Sequence, residues 1–297
     1  MTQHTQASTH VPDGGVHPEL RAAARFLPKG SGLHRSLRGA RIAITVAGSI
    51  GKLRDIQTQP VNSDVGVRVH RPAGVPVPGP ALLWIHGGGM VMGSASQDDK
   101  LCRRLSHLGG VAIAAVEYRL APEHPYPTPL EDCYAALMWL AAQPWVDPER
   151  IAIGGESAGG GLTASLACLA RDRGEVMPKL QMLVHPMLDD RTGTQPDEPP
   201  RYIWSAKDNQ AGWRYYLGGA DPNLAVPARN NDFSGLPPAW IGIGTEDLFF
   251  EESLAYGRQL RAAGVPSHDE TAIGAFHGFD YIVPNAPTSL RFLASQC

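Results

Sequence analysis

The chain has little of what marks several large protein classes. No apolar run approaches the roughly 20 residues that a membrane span needs, and residues 1–30 carry no basic-then-apolar leader pattern. A cytoplasmic protein without a membrane span is therefore expected. Neither sign of charge is in large excess: 26 Lys and Arg stand against 29 Asp and Glu, a formal net charge of −3. With no basic field to attract phosphates, nucleic acid is not expected as a partner. There are only four cysteines, Cys102, Cys133, Cys168 and Cys297, and no Cys-x-x-Cys pair. This scatter suggests neither a zinc site nor a disulfide framework, and the four are expected as buried or partly buried free thiols. Internal repeats and low-complexity tracts are also missing.

What is plentiful is glycine and proline, 33 and 26 residues, within an ordinary globular balance of 43% hydrophobic and 19% charged residues. The glycines must then occupy special backbone positions and not a disordered or collagen-like repeat. A length of 297 residues suits one large α/β domain with a modest attachment.

Residues 1 to about 60 read as an irregular, polar segment with a short helical pattern at Pro18 to Phe26, attached to the core and not part of it. From Val65 the pattern changes. Val65, Val67 and Val69 alternate as in a half-buried strand, and Ala81 to Ile85 form a nearly continuous apolar run. Helical spacing over Asp98–Leu108 and Leu130–Ala142 then alternates with strand-like runs at Val111–Val116 and Ile151–Ile153. The alternation resumes with a helix at Gly160–Ala170, strands at Leu180–Val184 and Trp240–Ile243, a helix at Glu251–Ala262 and a strand-like Ser267–Ile273. Such an order predicts an α/β fold with a mostly parallel central sheet flanked by helices on both faces. It breaks at about 189–238, where Trp204, Trp213, Tyr215 and Tyr216 lie in an aromatic, partly helical insertion. The expected organisation is a cap segment over 1–60 and a catalytic domain over 61–297 carrying this cap insertion.

The chemistry is concentrated in a few short motifs. Gly155-Glu156-Ser157-Ala158-Gly159 places a serine between glycines where a strand gives way to a helix. This is the pattern of a nucleophile elbow, which presents the hydroxyl above the sheet. The helix start adds free N–H groups and a positive dipole end. Directly after the apolar run, His86-Gly87-Gly88-Gly89 offers backbone donors that no side chain obstructs. The N–H groups of Gly88, Gly89 and Ala158 are the expected oxyanion hole, with His86 and Gly87 supporting the loop. The acid and base of such a site follow the nucleophile in chain order. Asp247 is the expected acid and His277 the general base. Glu246 and Glu251 are weaker acids for the role, one as a solvated neighbour and one as a helix-start carboxylate. His185 and His268 lack the small flanking residues of His277. Met90, Met92, Trp204, Trp213 and Tyr215 are candidates for an apolar substrate pocket, with ordinary core packing as the alternative for each.

These residues resemble the hormone-sensitive-lipase-like esterases, also called bacterial family IV, whose members carry a His-Gly-Gly-Gly oxyanion motif and a Gly-Asp-Ser-Ala-Gly nucleophile motif. The similarity runs from about Ala81 to Phe279 and includes Tyr118-Arg119-Leu120-Ala121-Pro122-Glu123. Glu156 stands where the family most often has Asp, Asp247-Leu248-Phe249 replaces the usual Asp-Pro-Leu, and Met90 occupies a commonly aromatic position. The resemblance implies the α/β-hydrolase fold with a cap. It also implies hydrolysis of short- to medium-chain carboxylic esters through an acyl-enzyme, without cofactor or metal. The implied partner is a small-molecule ester, and a homodimer is compatible with these features. A specialised deacetylase or carbamate hydrolase uses the same triad, because fold and triad do not fix the leaving group. A non-catalytic receptor on this fold would lack one of the three catalytic side chains.

Overall fold

The computed structural model describes residues 15–194 and 201–297. Residues 1–14 of the expected cap segment and 195–200 of the expected insertion lie outside them. An eight-stranded sheet runs through the molecule, built from β1 (Thr58–Pro60), β2 (Gly66–His70), β3 (Gly79–Ile85), β4 (Ala112–Glu117), β5 (Val146–Glu156), β6 (Gln181–Val184), β7 (Ala239–Gly244) and β8 (Ser267–Ala272). Its order is β1-β2-β4-β3-β5-β6-β7-β8. The β1–β2 and β2–β4 pairs are antiparallel and every later pair is parallel.

The continuous apolar runs are explained by burial on both faces. Along β3, Ala81, Leu83 and Ile85 enter one hydrophobic cluster while Leu82 and Trp84 enter the other. Strand β4 divides in the same way, with Ala112, Ala114 and Val116 opposed to Ile113 and Ala115. The first cluster is completed by α4 (Thr128–Ala141), α5 (Ala158–Arg173) and α8 (Phe250–Ala262). The second is completed by α1 (Arg21–Ala24), α3 (Asp99–Gly109), α9 (Phe279–Ile282) and α10 (Pro287–Ala294). Parallel β3, β5, β6 and β7 all point their C-terminal ends the same way, and the glycine motifs, Asp247 and His277 gather there, as is usual for an open α/β sheet.

Three expectations need correction. The segment up to residue 60 is not irregular throughout, since α2 (Leu37–Gly48) spans twelve residues and Thr58–Pro60 forms an edge strand. Helix α2 starts at Ser36, whose hydroxyl accepts the Gly39 N–H at 3.0 Å, an N-cap that satisfies one orphan donor. Its sequence hides it, because β-branched Ile42, Ile44, Thr45 and Val46 lower helix propensity. The second correction is Cys297, which is exposed, whereas Cys102 and Cys133 are buried and Cys168 is partly so. The third concerns the pocket aromatics and is described with the site.

Above the sheet, the loop leading into α2 meets the insertion that contains α6 (Ala206–Leu217) and α7 (Pro222–Ala225). One fully buried carboxylate joins them. Asp208 of α6 accepts the backbone N–H groups of Ser31 (2.7 Å) and His34 (3.1 Å), pairs with the His34 ring at 2.7 Å, and accepts the Ser205 hydroxyl at 2.7 Å. Burial opposes its charge, but His34, Ser205 and the two N–H groups more than offset that and hold it below the usual carboxylate range.

Candidate active site

Ser157 sits where β5 turns into α5, with φ 54° and ψ −120°. That left-handed backbone is strained for a side chain larger than glycine and persists only where its surroundings enforce it. They do so by close approach. A Cβ at Gly155 would lie 2.5 Å from the Ile85 carbonyl oxygen and 2.6 Å from the backbone of Gly159, and a Cβ at Gly159 would overlap Ile85 and His86. Glycine two before and two after the serine is thus a packing requirement of β3, β5 and α5 meeting at one point.

The structure brings Ser157, His277 and Asp247 into one hydrogen-bonded line. His277 Nε2 lies 3.0 Å from Ser157 Oγ, and His277 Nδ1 lies 2.8 Å from Asp247 Oδ2. Asp247 Oδ1 accepts the Phe249 N–H at 3.0 Å. Asp247 is fully enclosed; burial opposes its ionisation, yet His277, His185 and the Phe249 N–H together keep it below the usual range. An ionised carboxylate there orients the imidazole and stabilises its protonated form.

The loop after β3 brings Gly88, with φ +118°, and Gly89, with φ +65°, beside the elbow. A Cβ on Gly88 would run into the Met92 carbonyl, and one on Gly89 into the Trp204 ring. Among the described residues, no hydrogen bond from the Gly88 or Gly89 N–H is found. The Ala158 N–H belongs to the first turn of α5, which has no intrahelical acceptor. His86 is fully buried, with Nδ1 2.7 Å from the Gly87 oxygen and its ring stacked on Tyr118 at 4.2 Å. The Tyr118 hydroxyl donates to the His86 carbonyl at 3.0 Å. Burial pulls the His86 imidazole down to about 4, so at neutral pH it is an uncharged brace for the loop.

A cavity of about 340 Å³ opens onto Ser157 and His277. Of the expected pocket residues, Met92 and Trp204 line it, while Met90, Trp213 and Tyr215 do not. Met90 turns away to approach Gly161, Trp213 packs edge-on against Tyr216 inside the core, and Tyr215 is partly buried against that same core. Sequence reasoning missed the inner face of α2, where Ala40, Ala43, Ile44 and Ala47 form one wall. Their spacing of three, four and seven was the available signal. Tyr281 and Ile282, just after His277, were missed as well.

The rival residues take other places. Glu246 lies 3.7 Å from Arg201, Glu251 falls in the first turn of α8, and His268 is largely exposed beside Glu270 on β8. His185 is close to the triad. Its Nε2 lies 2.9 Å from Asp280, its Nδ1 3.8 Å from Asp247, and its ring stacks on Phe292. Burial works against its charge, but Asp280 and Asp247 raise its pKa above the ordinary value. Glu156 also lines the cavity, and burial, with Asp98 and Asp280 adding repulsion, pushes its carboxyl well above the usual range.

Comparison with known proteins places this geometry among hydrolases. Residues 82–281 match the family described as alpha/beta hydrolase fold. Esterase LipI of Mycobacterium tuberculosis is 34% identical over 263 residues, covering 79% of this chain and 82% of that protein. Carboxylesterase NlhH of the same species is 35% identical over 241 residues, covering 75% of each. Among solved structures, Bacterial Heroin Esterase superposes with a TM-score of 0.85 at 35% identity over 95% of both chains. A hyperthermophilic esterase from Pyrobaculum calidifontis gives 0.82 at 29% identity, covering 95% of this chain and 96% of its own.

Proposed function

The chain belongs to the alpha/beta hydrolase fold family, in its hormone-sensitive-lipase-like branch, and from that premise we propose that it is a serine carboxylesterase acting on short- to medium-chain esters. The observation that carries this reading is the continuous hydrogen-bonded line from Ser157 through His277 to Asp247 at the floor of an apolar cavity. In the proposed reaction Ser157 Oγ attacks the ester carbonyl carbon while His277 Nε2 takes its proton. The carbonyl oxygen gains charge facing the N–H groups of Gly88, Gly89 and Ala158. When the tetrahedral intermediate collapses, the bond to the alkoxy oxygen breaks and His277 returns the proton to the departing alcohol. Water then attacks the acyl-serine by the same route, releasing the acid and restoring Ser157.

The acyl-length assignment is what the family resemblance implies, and a cavity of about 340 Å³, close to the lower limit of ligand pockets, suits it. We assign the described part of residues 1–60 and the insertion at about 189–238 to the cap, and the remainder to the catalytic domain. No helix among the described residues is long and apolar enough to cross a membrane, and four unpaired cysteines suit a reducing cytoplasm. A homodimer is compatible with this reading, and sedimentation would report it.

The test is Ser157→Ala assayed on p-nitrophenyl butyrate, with circular dichroism to establish folding. Turnover is expected to fall by about 10⁴-fold or more. A folded variant that keeps near-wild-type turnover would overturn the assignment. A series of p-nitrophenyl esters from acetate to palmitate checks the acyl range, and highest activity on palmitate would sink the short- to medium-chain reading.

A further inference from the structure

Helix α2 has two apolar sides. One, formed by Ala40, Ala43, Ile44 and Ala47, lines the catalytic cavity. On the other, Ile42 and Val46 are four residues apart, and Ile50 follows four further on, just past the helix. These three are 57%, 65% and 73% exposed. Phe26, in the same N-terminal segment, is 89% exposed. Three large apolar side chains repeating every four residues are more than the scattered singles normal for a soluble surface.

The charge of the chain segment that carries this stripe is one-sided, and the carboxylate that joins it in space, Glu123, is taken up by Arg41. Between Gly15 and Arg54 the chain has eight lysines and arginines against one carboxylate, Glu19, in a protein whose net charge is −3. Glu19 is engaged by Thr288, and Arg41 is neutralised by Glu123 at 2.6 Å. Arg35, Arg38, Lys52 and Arg54 are exposed and have no carboxylate partner among the described residues. Arg38 shares a shallow groove with Ile42 and Val46.

We propose that this outer side of the N-terminal cap docks on an anionic lipid–water interface. Apolar side chains entering the boundary between headgroups and acyl chains, with basic side chains beside anionic headgroups, are the pattern of an interfacial helix. Charge decides against a second copy as the occupant. A symmetric contact through this face would bring two copies of the same unpaired basic side chains, Arg35 and Arg38, into one interface, whereas an anionic surface pairs with them. Because one helix carries both the docking stripe and a wall of the cavity, docking brings that wall to within about 10 Å, a helix diameter, of the surface where lipophilic esters collect. That last consequence rests on the esterase reading; the docking does not.

The experiment is flotation of the full chain with phosphatidylcholine vesicles and with vesicles in which part of that lipid is replaced by phosphatidylglycerol. The chain is expected to float with the anionic vesicles at low salt, to bind the neutral ones at least about tenfold more weakly, and to dissociate at high salt. Ile42→Ser/Val46→Ser/Ile50→Ser and, separately, Arg35→Glu/Arg38→Glu should each weaken anionic binding about tenfold or more. Both should leave turnover of a soluble short ester unchanged. No binding to anionic vesicles, or equal binding by the wild type and both variants, would overturn the proposal. So would a triple variant that turns a dimer into a monomer in sedimentation while the wild type ignores vesicles, since the face would then belong to a second copy. Flotation needs no catalysis, so failure of docking is distinguishable from failure of the esterase assignment.

Discussion

At the residue scale, the buried acids around the site pull in opposite directions with pH. Asp98 is fully buried, accepts the Trp84 indole N–H at 2.8 Å, and is raised by burial, with Asp99 and Glu117 adding, from 3.8 to about 7. A carboxyl raised on folding favours the folded state at low pH, and its contribution is lost as pH climbs from the unfolded value to the folded one. Asp98→Asn keeps an acceptor for Trp84 without the charge. Its stability relative to wild type should therefore rise between about pH 4 and 7, by an amount on the order of 3 kcal/mol. Urea titrations at acid and neutral pH measure this; a difference independent of pH would contradict it. Asp247 has the reverse sign, since its lowered pKa stabilises the fold above about 3.8 and that stabilisation is lost as pH falls through the lowered value.

His185 illustrates what single residues conceal. Its flanks read as unsuited to a general base, and it is His277, not His185, that reaches Ser157 Oγ, but His185 lines the same cavity and lies 3.8 Å from the acid and 2.9 Å from Asp280. Nothing in the local sequence ties a residue at the end of β6 to one after His277. We expect His185→Gln to lower kcat roughly tenfold by loosening the acid it helps hold, a fraction of what removing a triad member costs. Steady-state kinetics on a short ester would show it, and an unchanged kcat would count against a positioning role.

At the scale of elements, the strands of the parallel region were readable because burial on both faces leaves a continuous apolar run, as in Ala81–Ile85. Helix α2 was not, because its apolar residues lie on two sides, Ala40, Ala43, Ile44 and Ala47 on one and Ile42 and Val46 on the other, so the inner spacing does not stand out against a polar face. The oxyanion loop shows a different limit. Apolar character made both Met90 and Met92 pocket candidates, but the turn sends Met90 towards Gly161 while Met92 reaches the cavity. Two predictions belong here. Gly159→Ala should destabilise the fold by about 3 kcal/mol, near the upper end of ordinary overpacking, because the carbonyls of Ile85 and His86 leave no room for a methyl group. A chemical-denaturation midpoint equal to wild type would refute that. Hydrogen exchange should find α2 far less protected than the buried α5, and equal protection would contradict the view of α2 as thinly packed.

At the scale of the whole molecule, residue patterns marked two separate additions to the core, one near the N-terminus and one near residue 200, and it was the family resemblance that implied one cap made from both, without the contact that joins them. Their meeting depends on Asp208, more than 170 positions from Ser31 and His34, a separation that no local pattern encodes. Asp208→Ala should raise hydrogen exchange in Ser31–Gly48 and in α6 together, with a stability loss of about 3 kcal/mol for two part-buried amide groups, a hydroxyl and an imidazole left without their acceptor. Looser exchange in one segment alone would argue against a shared anchor.

That anchor bears on how such proteins can be recombined. With one carboxylate bridging two distant stretches of chain, neither stretch is a self-sufficient module. Grafting only the N-terminal stretch from a relative onto this scaffold leaves Asp208 facing foreign backbone, and grafting only the later stretch strands Ser31 and His34. Chimeras that exchange both stretches as one split cassette should inherit the donor's substrate range, whereas single-stretch exchanges should yield unstable proteins.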